Sequence, residues 1–291
     1  MRTASPIITG LMSALAMISV AGCAHPIGIG ALGWNSARRQ SPLAGVEGQD
    51  AVILCLAVVE RPINDSYIST KLWDLVDEQV VPFESKSRLA ENGVRVGTLS
   101  GQPPQAFLEI LGSDRSCINP RQIQTRFGQA SCLNVGSSRD HISCKMSTLE
   151  ATDEVNHEKA TFQWEIITSR GEPGRLKIAL CPQIRHGEAQ MEPKAVHDKA
   201  GILTWQLQSQ QQTQRLPAGA LEVEVRPGEF LLVGASGDDR ATLGSACFRQ
   251  IDSRGSVQRM LIVRAARKGT EIQENAIRPD GPRPLALLAQ D

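Results

Sequence analysis

The sequence predicts an α+β protein, a small α/β sandwich domain followed by a mainly antiparallel β domain. Three observations lead there. Residues 51–59 form one continuous apolar, β-branched run, the pattern of a strand covered on both faces. Between Ser69 and Leu111 apolar residues recur at helical spacing over short stretches. From residue 159 onward, segments that alternate apolar and polar residues are separated by Gly/Pro turns, with no long helical pattern between them.

Taken in order, the run Ala51 to Val59 ends at Arg61-Pro62. Ser69 is placed to cap a helix carrying Leu72, Leu75, Val76 and Gln79 on one face, and Pro82 ends it. A second helix runs from Glu84 to Glu91, closed by a left-handed cap at Asn92-Gly93. Val94 to Leu99 alternates as a strand, and Gln105 to Leu111 reads as a third short helix. Trp73 and Phe83 read as core anchors of this small domain. Between Gly112 and Glu158 polar residues interrupt every strand pattern, leaving edge strands or hairpins at Arg121 to Arg126, Ala130 to Val135 and Ile142 to Ser147.

In the second half Ala160, Phe162, Trp164 and Ile166 share one face, and the Gly171 to Gly174 turn leads into a strand from Arg175 to Ile184. Strands follow at Ile202 to Leu216, Leu221 to Arg226, Glu229 to Val233 and Val257 to Arg264. The expected divisions are therefore a 50–112 α/β domain, 113–158 connecting strands and loops, a 159–268 β domain and a polar, Pro-rich tail over 269–291.

With 31 basic and 31 acidic side chains among 291 residues, the chain is neither a basic nucleic-acid binder nor an acidic solvating protein. Its 41% hydrophobic content supports a packed core without the long apolar spans of a polytopic membrane protein. Arg2 is the sole charge before Arg38, and it precedes an apolar stretch from Ile7 to Val20, which reads as a signal peptide over 1–22. Val20-Ala21-Gly22-Cys23 resembles the lipobox of bacterial lipoproteins, which implies that Cys23 carries the lipid and becomes the first mature residue. Residues 23–49 are rich in Gly, Pro, Ala and Ser and read as a flexible stalk. Removal of 1–22 takes one Arg and no acid, so anchorage falls to acyl chains at about 0.8 kcal/mol per buried CH₂, with no polybasic patch. Ala24 rather than Asp follows the cysteine; by resemblance to lipoprotein sorting, this implies an outer-membrane anchor with the domains in the periplasm.

Six further cysteines remain. Cys117, Cys132 and Cys144 lie close together in a polar region, and a disulfide within this group is the expectation for an oxidising compartment. Cys55 and Cys181 sit in apolar runs and read as free buried thiols. No pair has C-x₂-C spacing, so no metal site and no cofactor is expected.

Catalytic patterns are lacking. Gly234-Ala235-Ser236-Gly237 is not the nucleophile elbow of hydrolases, and His157-Glu158-Lys159-Ala160-Thr161 has Thr where a zincin needs its second His. His186 and Glu188 could form an acid–base pair, but a surface loop is the commoner meaning of such neighbours. Asp238-Asp239 reads as a solvated turn. Gln206 to Gln214 reads either as a polar strand face or as an exposed edge open to pairing with another chain.

Four blocks carry a further resemblance: Arg175 to Ile184, Leu221 to Val233 with its Pro-Gly turn and following Gly234, Leu243-Gly-Ser-Ala-Cys-Phe248, and Met260 to Arg264. In order and spacing they are similar to the C-terminal β domain of bacterial secretins. The likeness spans about 90 residues, 175–266, with departures at Ala235, Gln258-Arg259 and Ala265-Ala266, where the family carries Gly, an acid and Thr-Pro. It implies a degenerate secretin-like domain used for packing or pairing with other envelope proteins, rather than a channel.

The sequence thus points to a lipid-anchored envelope protein, not an enzyme, that acts by protein–protein contacts. Homo-oligomers are compatible with this, and nucleic acid is not a partner. A periplasmic lipoprotein that holds a small ligand between its domains is the alternative, which a well-formed apolar pocket with convergent polar groups would favour, and sequence alone leaves both open.

Overall fold

The computed structural model describes residues 50–267, apart from 149, 198–202, 238–240 and 253–254. The signal peptide, Cys23, the 23–49 stalk, Asp238-Asp239 and the 269–291 tail lie outside the described residues. Among the described residues twelve strands form two six-stranded, antiparallel sheets, and the protein is mainly β as the sequence predicts.

The first sheet runs β2 (Val94–Leu99), β10 (Phe230–Ala235), β12 (Gly255–Arg267), β1 (Ala51–Pro62), β3 (Cys117–Arg126), and β11 (Arg249–Asp252) forms a hairpin with β12. The second runs β4 (Ala130–Asn134), β6 (Thr152–Arg170), β7 (Leu176–His197), β8 (Leu203–Arg215). In that sheet β5 (Arg139–Ser147) joins the first half of β6, and β9 (Leu221–Val225) joins the start of β7.

This topology corrects the expected division at 112 and 158. β1 pairs with β12 from Val52–Arg267 to Pro62–Val257, and β2 pairs with β10. The first and last described strands are central neighbours, so the 50–112 and 159–268 segments share one sheet. The continuous apolar run of β1 is the reason. A strand apolar on both faces is satisfied only in the middle of a sheet covered on both sides.

Alternation sorts the two covers. Val52, Leu54, Leu56 and Val58 face the second sheet and pack in one core with Leu133, Phe162, Trp164, Ile166, Leu176, Ile178 and Leu180. Ala57 and Val59 point the other way, into a second core with Leu232, Ile262, Phe107 and Trp73. Part of that second layer is helical: a single π turn (Tyr67–Lys71), a 3₁₀ turn (Trp73–Leu75) and α2 (Gln105–Leu111). The expected helix capped by Ser69 is thus two tight turns, because Asp77 leaves the spiral to bridge Thr98 of β2. Trp73 is buried as expected, with Nε1 donating to the Ile68 carbonyl. Phe83 is not a core anchor: it is 84% exposed at the first position of α1 (Phe83–Glu91), whose inward residue is Leu89.

Two short helices close the rim between the sheets. α1 ends at Gly93, which has φ +70° as the left-handed cap requires. Buried Asn92 then ties this corner to β5: its Nδ2 donates to the carbonyls of Arg88 and Ser147, and its Oδ1 accepts from Ser147 N–H at 2.9 Å. α3 (Leu243–Phe248) is capped by Thr242, whose Oγ1 accepts from Ser245 N–H. A Cβ at Gly244 would lie 1.8 Å from the Gly93 carbonyl oxygen, so only glycine lets α3 approach this turn.

Candidate functional site

β7 is expected to stop near Ile184 but continues to His197 and, with β8, builds a two-stranded arm. The backbone pairing with β6 ends at Thr161–Arg185. Beyond it, eight pairs from Gln190–Gln210 to His197–Leu203 join β7 to β8 alone among the described residues. At about 3.4 Å per residue this ribbon is roughly 27 Å long.

Strand alternation gives the arm two unlike faces. Met191, Pro193, Ala195, Leu203, Trp205 and Leu207 share one face, and Gln190, Glu192, Lys194, Gln206, Gln208 and Gln210 share the other. Among the described residues nothing covers the apolar face: Met191 is 62%, Leu203 52%, Trp205 69% and Leu207 67% exposed. That is on the order of 500 Å² of apolar surface, at the upper end of what a soluble monomer displays and a mark of an interaction site. A bare two-stranded ribbon is also marginal in water and presents strand edges open to pairing. The Gln206–Gln214 segment accordingly lies on an edge strand, and its glutamines through Gln210 form the polar face of the arm.

The arm begins at a bulge in which two extra residues of β7 fall between His186 and Gln190, with Gly187 at φ +81°. His186 and Glu188 are therefore strand and bulge residues, neither a surface loop nor an acid–base pair with each other. His186 stacks on His157 of β6, ring centroids 3.7 Å apart, and Glu188 pairs with Lys159. His157, whose segment lacks the second His of a zincin, donates from Nε2 to Gln214 Oε1.

A cleft of about 850 Å³ opens on the opposite side of the second sheet from the core. Ile167, Ala179, Leu221 and Pro217 supply apolar surface, and Arg215, Glu165 and Glu222 among its charges are in ion pairs within the chain. Arg215 meets Glu165 at 2.5 Å, Glu222 meets Lys177 at 3.5 Å, and Arg88 Nη2 donates to the Ala220 carbonyl at 2.6 Å. The Cys181 thiol and the Glu165 carboxylate both push the Arg215 guanidinium pKa up.

The expected disulfide among Cys117, Cys132 and Cys144 is not formed, and all six described cysteines are free. Cys144 packs in the core between the sheets, and Cys117 lies in the separate core on the far face of the first sheet. Cys132 is exposed on β4. Chain proximity in a polar region does not bring thiols together when successive strands belong to different layers. Cys55 and Cys181 are free and buried, as expected. Burial pushes the Cys144 thiol up to about 11 and that of Cys247 up to about 12.

The lower half of the arm was legible in principle. Gln190 to Ala195 alternates polar and apolar residues as clearly as Leu203 to Gln208, but Gly187 breaks the pattern where the bulge sits.

No family model and no curated protein matches this chain. Among solved structures it is similar to the InvG secretin domain β-barrel from the Salmonella SPI-1 injectisome NC-base, at 9% identity and a TM-score of 0.18. The match covers 74% of this chain and 60% of that one, so the chain spans less than two thirds of its length.

Proposed function

We propose that this chain is a lipid-anchored cell-envelope protein, held by Cys23 in the outer membrane, that acts by protein–protein contacts made through the β7–β8 arm. The observation that carries this reading is the exposed apolar face of the arm, with Trp205 and Leu207 at its centre. Covering such a face removes apolar surface from water, and the strand edges beside it offer backbone hydrogen bonds to a partner strand. The anchor raises the effective concentration of the arm at one membrane. The order of the blocks from Arg175 to Arg264 supports a secretin-like assembly or secretion component rather than an enzyme.

The test is the native mass of the detergent-solubilised protein, wild type against Leu207→Glu. A larger assembly in the wild type that is lost in the variant, with thermal stability unchanged, supports the reading; equal masses refute it. Cys23→Ala should move the protein out of the membrane fraction, and retention there would refute the anchor.

A second reading rests on a separate observation. The cleft has the volume and apolar lining of a small-ligand site, and its largely apolar walls suit a mainly apolar ligand. Saturable binding of such a probe, abolished by Ala179→Trp, would favour a periplasmic ligand-binding lipoprotein.

A further inference from the structure

At the root of the arm the second sheet splits into two ribbons. One half of β6 turns away with β5, while β7 continues with β8. His157 and His186 face each other across this split, one from each ribbon, with ring planes 19° from parallel. Their surroundings hold little that would stabilise two charged rings. From β8 come two amides, Gln214 bonded to His157 and Gln212 opposite His186. From β5 comes buried Ile142, opposite His157. The adjacent carboxylate on β7, Glu188, is taken by Lys159 of β6. His141 and Glu158 pair with each other one position along, where alternation turns them to the other face. Arg185, next to His186 on β7, is turned by the same alternation to the other face. Burial first, and the charge of His157 second, hold His186 below the usual histidine range.

We propose that the His157–His186 stack is a pH-sensitive latch that holds the root of the arm, where β7 leaves β6, against the sandwich when the rings are neutral and frees that root when both are protonated. Neutral imidazoles stack at this distance, whereas two imidazolium ions repel and each seeks water. The root is the place where this can act: the backbone pairing of β7 with β6 ends at Thr161–Arg185, Gly187 turns β7 away at positive φ, and beyond the bulge β7 pairs with β8 alone among the described residues. The latch rests on the arm being the contact surface only for its consequence, which is that acidification changes the assembly.

Hydrogen exchange at the root reads the latch directly. Corrected for intrinsic rates, protection of Arg185 and of Thr213 to Arg215 should fall at least tenfold between about pH 7.5 and about pH 5, across the histidine range, while β10 and β12 stay unchanged. In His157→Phe/His186→Phe the rings stack without titrating, and the fall should vanish. Should that pair not fold, His186→Gln removes one charge and should also abolish it. Constant protection in the wild type, or an equal fall in the uncharged variants, overturns the latch. The mass of Leu207→Glu is scored separately: if it equals the wild type the contact surface fails, whatever the exchange shows.

Discussion

Trp205→Ala should leave the fold intact and weaken association by about two orders of magnitude. Trp205 is 69% exposed and sits beyond the last pairing of β7 with β6, so its indole contributes little to the core. Covering a tryptophan removes roughly 150–250 Å² from water. Applied to the exposed share, this is about 140 Å², or about 3.5 kcal/mol at 25 cal/mol/Å², which corresponds to roughly 300-fold in a dissociation constant. Trp164 is the internal control. It is fully buried between the sheets, stacked on Phe248 with Nε1 directed at Cys247 Sγ. Trp164→Ala should therefore cost about 3–5 kcal/mol of folding stability. The assay is paired: denaturant unfolding for stability, and concentration-dependent sedimentation in detergent for association. If Trp205→Ala lost stability as Trp164→Ala does, or associated like the wild type, the arm would not be a contact surface and the reasoning would be wrong.

Further outcomes follow from the corner and the thiols. Asn92→Leu strips three hydrogen bonds and leaves the Ser147 amide and carbonyl without these partners, which should cost about 2–4 kcal/mol in chemical denaturation. A loss below 1 kcal/mol would contradict the tie between α1 and β5. Gly244→Ala should destabilise at least as much, since its Cβ meets backbone rather than a side chain able to move aside; unchanged unfolding would show that the close approach is relaxed. Among the described cysteines Cys132 should alkylate first in the native protein, because it alone is exposed and burial raises the pKa of Cys144 and Cys247. Under denaturing conditions all six should alkylate without prior reduction, and a mass deficit of one pair would restore the disulfide expectation.

The strands were legible wherever one property decided their fate. The unbroken apolar run of β1 announced a doubly covered strand, and the alternation at Ala160 to Ile166 named the inner face of β6 residue by residue. Asn92-Gly93 marked the helix end because few residues other than glycine tolerate that φ. What failed depended on partners distant in sequence. Composition cannot show that β1 lies beside β12 some 200 residues later, so one sandwich looked like two domains. Phe83 looked like a core residue because its hydrophobicity was visible and the orientation of α1 was not. The same limit hid the arm: Leu203, Trp205 and Leu207 alternate like a buried strand face, and only the packing among the described residues shows that face exposed.

The most direct test of the central claim is a photo-crosslinking amino acid placed at Trp205, irradiated in intact cells, with the adduct identified by mass spectrometry. A single specific protein adduct, a second copy of this chain included, is the predicted result, and the same probe at Gln206 on the opposite face should give little. No adduct at position 205, or equal non-specific labelling from both faces, would contradict the account.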